Sequence, residues 1–122
     1  MNLRKIDLEQ LAKEMKWTEK HADYLLIVKD TIVIVEETSR AKINDIEKLE
    51  STIKAILQGP LKKRLRKHLT STFKRIIAII HAKRGIDSMI ARCLMARTRR
   101  NRIFSSASCN QRLRALLNSY LA

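Results

Sequence analysis

Three carboxylates stand where a folded chain could gather them: Asp23 and the neighbouring pair Glu36 and Glu37. Asp23 heads the apolar run Tyr24-Leu25-Leu26-Ile27-Val28, and the two glutamates close the run Thr31-Ile32-Val33-Ile34-Val35. Both runs are β-branched and too short for separate helices. Only Lys29-Asp30 lies between them, so they read as a β-hairpin. In a tight hairpin the start of the first strand lies beside the end of the second, which brings Asp23 to Glu36 and Glu37. Carboxylates placed so close repel one another unless a cation joins them. Mg²⁺ suits that role, because it takes one or two carboxylates and keeps several waters; Mn²⁺ is the alternative. An ion held beside a phosphate ester can activate a water and steady the leaving oxygen, which is phosphodiester hydrolysis. The expected catalytic and metal-binding residues are therefore Asp23, Glu36 and Glu37. The plainer alternative is a set of solvated strand ends.

The distribution of charge names the partner that such a site would need. From Met1 to Gly59 ten Lys/Arg face eleven Asp/Glu, whereas from Pro60 to Ala122 sixteen Lys/Arg face only Asp87. The formal net charge of +14 thus resides in the second half. A polarised excess of this kind suits a phosphate backbone. Lys62, Lys63, Arg64, Arg66 and Lys67 form one group of candidate phosphate contacts. Lys83 and Arg84 form a second, and Arg97, Arg99, Arg100 and Arg102 a third. Aromatics make up only 4% of the chain, which argues against base stacking as the dominant mode and for backbone contacts weakened by salt. The longest apolar run of the basic half, Ile76 to Ile80, is far shorter than the ~20 residues of a membrane span. Met1 to Lys20 is charged and amphipathic, without the apolar core of a secretion signal, so a cytoplasmic protein is expected. Cys93 and Cys109 have no CxxC spacing and read as small hydrophobes; with His68 or His81 they form no recognisable zinc pattern.

The elements that must position these residues follow from periodicity. Leu8, Leu11, Ala12 and Met15 give a helix stripe over Asp7 to Met15, capped by Asp7, with Glu9 and Glu14 on the wetter side. Trp17 is expected to pack this helix onto the rest. From Asn44 to Gln58, Ile46, Leu49, Ile53, Ile56 and Leu57 form a second stripe. Asp45, Glu47, Lys48 and Glu50 are expected opposite it, with Asn44 as N-cap and Gly59-Pro60 as the stop. Leu61, Leu65 and Leu69 mark a short basic helix or ordered loop. Ile76 to Ile80 reads as a buried central strand, Asp87 caps a helix through Ile90, Cys93, Leu94 and Arg97, and Ile103 to Ser108 is a weaker strand. Asn110 caps a last helix through Leu113, Leu116, Leu117 and Tyr120. The order α-β-β-α-β-α-β-α gives an α/β domain over residues 1–122, a small mixed sheet with helices on both faces. Both hairpin runs are apolar on both faces, as such a sheet requires.

A helix, an Asp at the head of a hairpin (His21-Ala22-Asp23-Tyr24), acids at its far end (Ile34-Val35-Glu36-Glu37-Thr38-Ser39) and a helix from Asn44 resemble the PD-(D/E)xK nuclease superfamily. The resemblance implies a restriction-endonuclease-like core, divalent-metal-dependent cleavage of double-stranded DNA and pairing into a homodimer. It also implies a lysine two residues beyond the acid, where this chain has Thr38 or Ser39. Lys42 or Lys29 is then the expected substitute, with Lys42 the stronger catalytic candidate. The short stretch before the hairpin leaves little room for a first strand. Two other classes compete. Leu8 to Met15 followed by Trp17 to Leu26 has a helix-turn-helix rhythm, which would make the hairpin the wing of a DNA-binding regulator. A basic RNA-binding protein without catalysis is the third reading.

Overall fold

The structure is a computed structural model and describes residues 4–66 and 73–121. Its elements are β1 (Arg4–Asp7), α1 (Leu8–Met15), β2 (Tyr24–Val28), β3 (Thr31–Thr38), α2 (Ile43–Gln58), α3 (Leu61–Arg66), β4 (Arg75–Ala82), α4 (Ser88–Arg97), β5 (Arg102–Ala107) and α5 (Asn110–Leu121). The strands form one mixed sheet in the order β1-β2-β3-β4-β5. β1, β2 and β3 are antiparallel neighbours, while β3, β4 and β5 run parallel.

The parallel half explains the layering. Successive right-handed crossovers that advance in one direction along a sheet place their helices on the same face. Residues of α1, α2, α3 and α4 accordingly share one core with Leu25, Ile32, Ile34, Ile76, Ala78 and Ile80 of the sheet. α5 follows the last strand, belongs to no crossover, and covers the second face against Val33, Val35, Ile77 and Ile79. Among the described residues the first core holds 23 buried hydrophobic residues and the second 7. Trp17 belongs to the first, as its position after α1 suggested.

Several local expectations hold. Asp7 Oδ1 accepts the Gln10 amide at 3.1 Å and Asp87 Oδ1 accepts that of Ile90 at 2.9 Å, so each caps its helix. Lys29 adopts φ 53° in the tight turn of the hairpin. Ile76 to Ile80 lies within β4, flanked on both sides by parallel strands. Leu61 and Leu65 are buried in α3, and Leu69 lies outside the described residues.

Four expectations are corrected. A first strand does exist: Arg4 to Asp7 pairs with β2, and at four residues it fits in the stretch that looked too short for one. Tyr24 to Val28 is a strand paired on both sides, which removes the recognition helix that the helix-turn-helix reading needs. α2 starts earlier than Asn44, with Lys42 at its N-cap and Asp45 Oδ2 accepting the Lys42 amide at 2.8 Å. β3 runs on to Thr38, beyond the hairpin ladder, because Glu36, Glu37 and Thr38 pair with Ile80, His81 and Ala82 of β4. Glu36 and Glu37 are therefore strand residues rather than strand-end residues, and this decides what each can reach.

Candidate functional site

Asp23 is tied on three sides before its side chain is considered. Its amide donates to Val35 O at 3.1 Å, its carbonyl accepts from Leu8 N at 3.0 Å, and the preceding Ala22 amide donates to the buried Thr52 hydroxyl at 2.8 Å. Thr52 in turn donates to Lys48 O at 2.8 Å, which locks the start of β2 onto one turn of α2. The Asp23 carboxylate then caps the end of the hairpin, Oδ2 accepting the Glu37 amide at 2.7 Å. Its charge also acts on the Glu36 carboxyl, which precedes that amide on β3. The hairpin thus brings Asp23 and Glu36 together as the sequence suggested. They meet inside the sheet, at the carboxyl end of β3, which is where open α/β sheets place their ligands.

Glu36 is 2% exposed and faces α2, from which Lys48 Nζ donates to Oε2 at 3.0 Å. Oε1 is buried without a partner. Burial is the main cause that pushes the Glu36 carboxyl up from 4.5 to about 8; the Asp23 charge adds to it and the Lys48 ammonium opposes it. The same hydrogen bond holds the Lys48 ammonium above its usual range, so it keeps its charge near neutrality. Raised this far, the Glu36 carboxyl holds its proton at neutral pH, so a cation binding there would displace that proton.

Side-chain alternation separates Glu37 from this pair. One residue along β3 it shares the second face with Val33 and Val35, where Oε2 lies 3.3 Å from His81 Nδ1. His81 is 2% exposed and its Nε2 is buried without a partner. Tyr24 lies on this face too: burial first, then the charges of Glu37 and Asp23, push its hydroxyl up, and Lys5 Nζ sits 4.3 Å over its ring. The three expected ligands therefore split, Asp23 with Glu36 on one face and Glu37 with His81 on the other. Among the described residues no group of three or more His, Cys, Asp or Glu side chains is arranged to hold a metal ion. The residues that could hold a cation here are Asp23 and Glu36.

The lysine is not where the spacing placed it. Lys42 is the exposed N-cap of α2, and Lys29 lies in the hairpin turn at the far end of the strands. Lys48, expected on the wet side of α2 with Asp45, instead turns inward, and Asp45 is 6% exposed. Asp45, Lys48 and Thr52 recur at i, i+3 and i+7 along the border of the apolar stripe. That polar line is the signal from which they could have been found. His81, inside an apolar strand, gave no such signal. Glu9 is exposed, Glu14 pairs with Arg64 at 3.4 Å, and His21 is held by Glu19 O at 2.9 Å; none joins the pair. Cys93 and Cys109 are free.

The cations divide between the two ends of the sheet. Lys83 and Arg84 prolong the carboxyl end, their amides bonded to Thr38 O and Ser39 O at 3.1 and 2.7 Å. Arg97, Arg99, Arg100 and Arg102 gather at the amino end of β5. There Asp30 O accepts the Lys74 amide at 2.7 Å and Asn101 O accepts that of Ile76 at 3.0 Å. Lys62, Lys63, Arg64 and Arg66 lie on α3, and Lys67 and His68 are outside the described residues.

The fold is thus a mixed α/β protein with a five-stranded open sheet flanked by helices, and an Asp–Glu–Lys cluster at the carboxyl end of its central strand. No family model, no curated protein and no solved structure matches the chain. Among the described residues no helix is long and apolar enough to cross a membrane.

Proposed function

We propose that the protein binds DNA and cleaves its phosphodiester backbone at Asp23 and Glu36 with the help of one divalent cation, Mg²⁺ or Mn²⁺. The observation that carries this reading is the convergence of Asp23, Glu36 and Lys48 at the carboxyl end of β3, with Glu36 Oε1 buried and unpartnered. The order of helix, hairpin, helix, strand and helix supports a PD-(D/E)xK-like, restriction-endonuclease-like core, with Lys48 of α2 in the role that Thr38 and Ser39 cannot fill.

In this reading Asp23 and Glu36 hold the cation, which supplies the activated water. Lys48 is a fixed ammonium beside the reacting phosphate, placed to steady the charge that develops there. Glu37 does not join the ligands and acts through its backbone, whose amide orients Asp23. Lys83 and Arg84 are the nearest phosphate contacts, and the arginines at the amino end lie roughly 25 Å away along an eight-residue strand. DNA laid along the molecule spans that distance in about seven nucleotide steps, so both groups of cations can engage one DNA.

The test is plasmid nicking with Mg²⁺ or Mn²⁺ by wild type, Asp23→Ala and Lys48→Met. Metal-dependent nicking by the wild type, lost in both variants, is the expected result. Equal nicking by all three would overturn the assignment.

A further inference from the structure

Two clefts meet at the amino end of the parallel strands. One, of about 400 Å³, lies between the end of α2 and the end of α4, with Ile53, Leu57 and Phe104 in its lining. The other, of about 480 Å³, has Leu57, Phe73 and Ile76 in its lining. Leu57, Arg99 and Arg102 belong to both, so the two form one groove. Among the described residues its lining mixes a few apolar side chains, both phenylalanines of the chain among them, with a majority of charged and polar ones.

The rim is cationic. The Arg99 guanidinium is fixed by the carbonyls of Ala96 and Thr98 at 2.8 and 2.9 Å. Arg97 takes up Glu50, the only carboxylate of the lining among the described residues, at 3.1 Å. Among the described residues no carboxylate pairs with Lys54, Lys74, Arg100 or Arg102. Apolar side chains among the cations Lys54, Lys74, Arg100 and Arg102, which no described carboxylate pairs, suit a ligand with flat apolar faces joined by anions. A free phosphate has no use for the apolar side chains, and a duplex keeps the faces of its bases stacked inside, presenting phosphates and base edges. An unpaired stretch of nucleic acid offers both, with bases against Phe73 and the aliphatic side chains and phosphates on the arginines. The half-buried Phe73 is the ring that a base can reach, since Phe104 is 7% exposed.

We propose that this groove binds a single-stranded segment of nucleic acid. The inference rests on the nucleic-acid reading above and names its substrate class: DNA carrying an unpaired end, flap or branch. The segment would be anchored at the amino end of the sheet while the duplex beside it reaches Asp23 and Glu36. The open outer edge of β5 is not a competing site for a strand, because Arg99 and Thr98 already bond Arg102 and Phe104 there.

The test is fluorescence anisotropy of the full chain with a labelled 12-nucleotide single strand and a 12-base-pair duplex of the same sequence. Arg102→Glu is expected to weaken single-strand binding about tenfold or more and duplex binding less than about threefold. Phe73→Ala is expected to cost about fivefold on the single strand without changing its salt dependence, whereas Arg102→Ala lowers the log–log salt slope by about one. Lys54→Glu, on the exposed side of α2, repeats the test without touching the core should Phe73→Ala fail to fold. Equal losses on the two probes would overturn the inference, because the groove would then be only a phosphate-binding face. Duplex binding without single-strand binding would overturn it and leave the DNA reading standing. No binding to either probe at low salt would sink both.

Discussion

The two ends of the parallel strands handle charge in opposite ways. At the carboxyl end a small cluster is individually fixed around the buried Glu36 and His81: Glu36 by Lys48, Asp23 by the Glu37 amide, His81 by Glu37, with Lys83 and Arg84 exposed beside it. At the amino end the groups are many and mostly cationic, and among the described residues no carboxylate pairs with the exposed Lys54, Lys74, Arg100 or Arg102. The ends are roughly 25 Å apart, about three Debye lengths at physiological ionic strength, so the arginines do little to the carboxyls. Burial and Asp23 therefore win at Glu36 despite a net charge of +14. A fixed cluster suits chemistry that needs one geometry, whereas an exposed field suits binding that adds weak phosphate contacts and dissolves in salt.

Four measurements can break or sharpen this contrast. The largest effect is expected at the carboxyl end, where Asp23→Ala and Lys48→Met should each lower metal-dependent nicking by about a hundredfold or more while DNA affinity changes little. Lys42→Ala should leave nicking unchanged, since that side chain is only the exposed cap residue of α2. A comparable fall in affinity in the Asp23 and Lys48 variants would mean that this end binds rather than reacts.

Next is the dependence of stability on pH. The folded Glu36 holds its proton up to about 8 and the unfolded one only up to about 4.5, so the native state binds more protons between these values. Its contribution is complete below about pH 4.5 and is lost as pH rises through about 8, a change of a few kcal/mol at most in cation-free protein. Denaturant titrations should show wild type weakening over that range and Glu36→Gln weakening much less. Identical pH profiles would mean that Lys48 keeps Glu36 ionised throughout.

A smaller effect is expected from charge reversal at the amino end. Arg99→Glu with Arg100→Glu should weaken DNA binding about tenfold at moderate salt. Lys83→Glu with Arg84→Glu should cost less in affinity and more in nicking, because those two flank the reacting pair. The same ranking of the two pairs in both assays would erase the distinction between the ends. The smallest effect belongs to neither end: Asp87→Ala should cost about 1 kcal/mol by removing the cap of α4, read as a shift in the unfolding midpoint with nicking unchanged.

Much of the fold is legible from local pattern. A period of 3.6 marks α1, α2, α4 and α5. Two short β-branched runs with two residues between them mark the hairpin, and the uncharged run around Ile76 to Ile80 marks the strand buried between two others. Caps at Asp7 and Asp87 need only the three residues that follow them, and hairpin geometry alone brings Asp23 to the end of β3. Such features depend on neighbours a few positions apart, which is why residue order determined them.

The tertiary structure decided the rest, because it turned on partners far along the chain. Parallel pairing with β4 carried β3 past Val35, buried Glu36 and sent Glu37 to the other face toward His81. The docking of α2 chose Lys48 over Lys42, through a Thr52 hydroxyl that also holds Ala22 thirty residues away. The same crossovers split a basic half that looks continuous in sequence between opposite ends of the sheet. Strand direction is a property of pairing rather than of composition, so which cations stand beside the carboxylates was settled only when β3, β4 and β5 aligned.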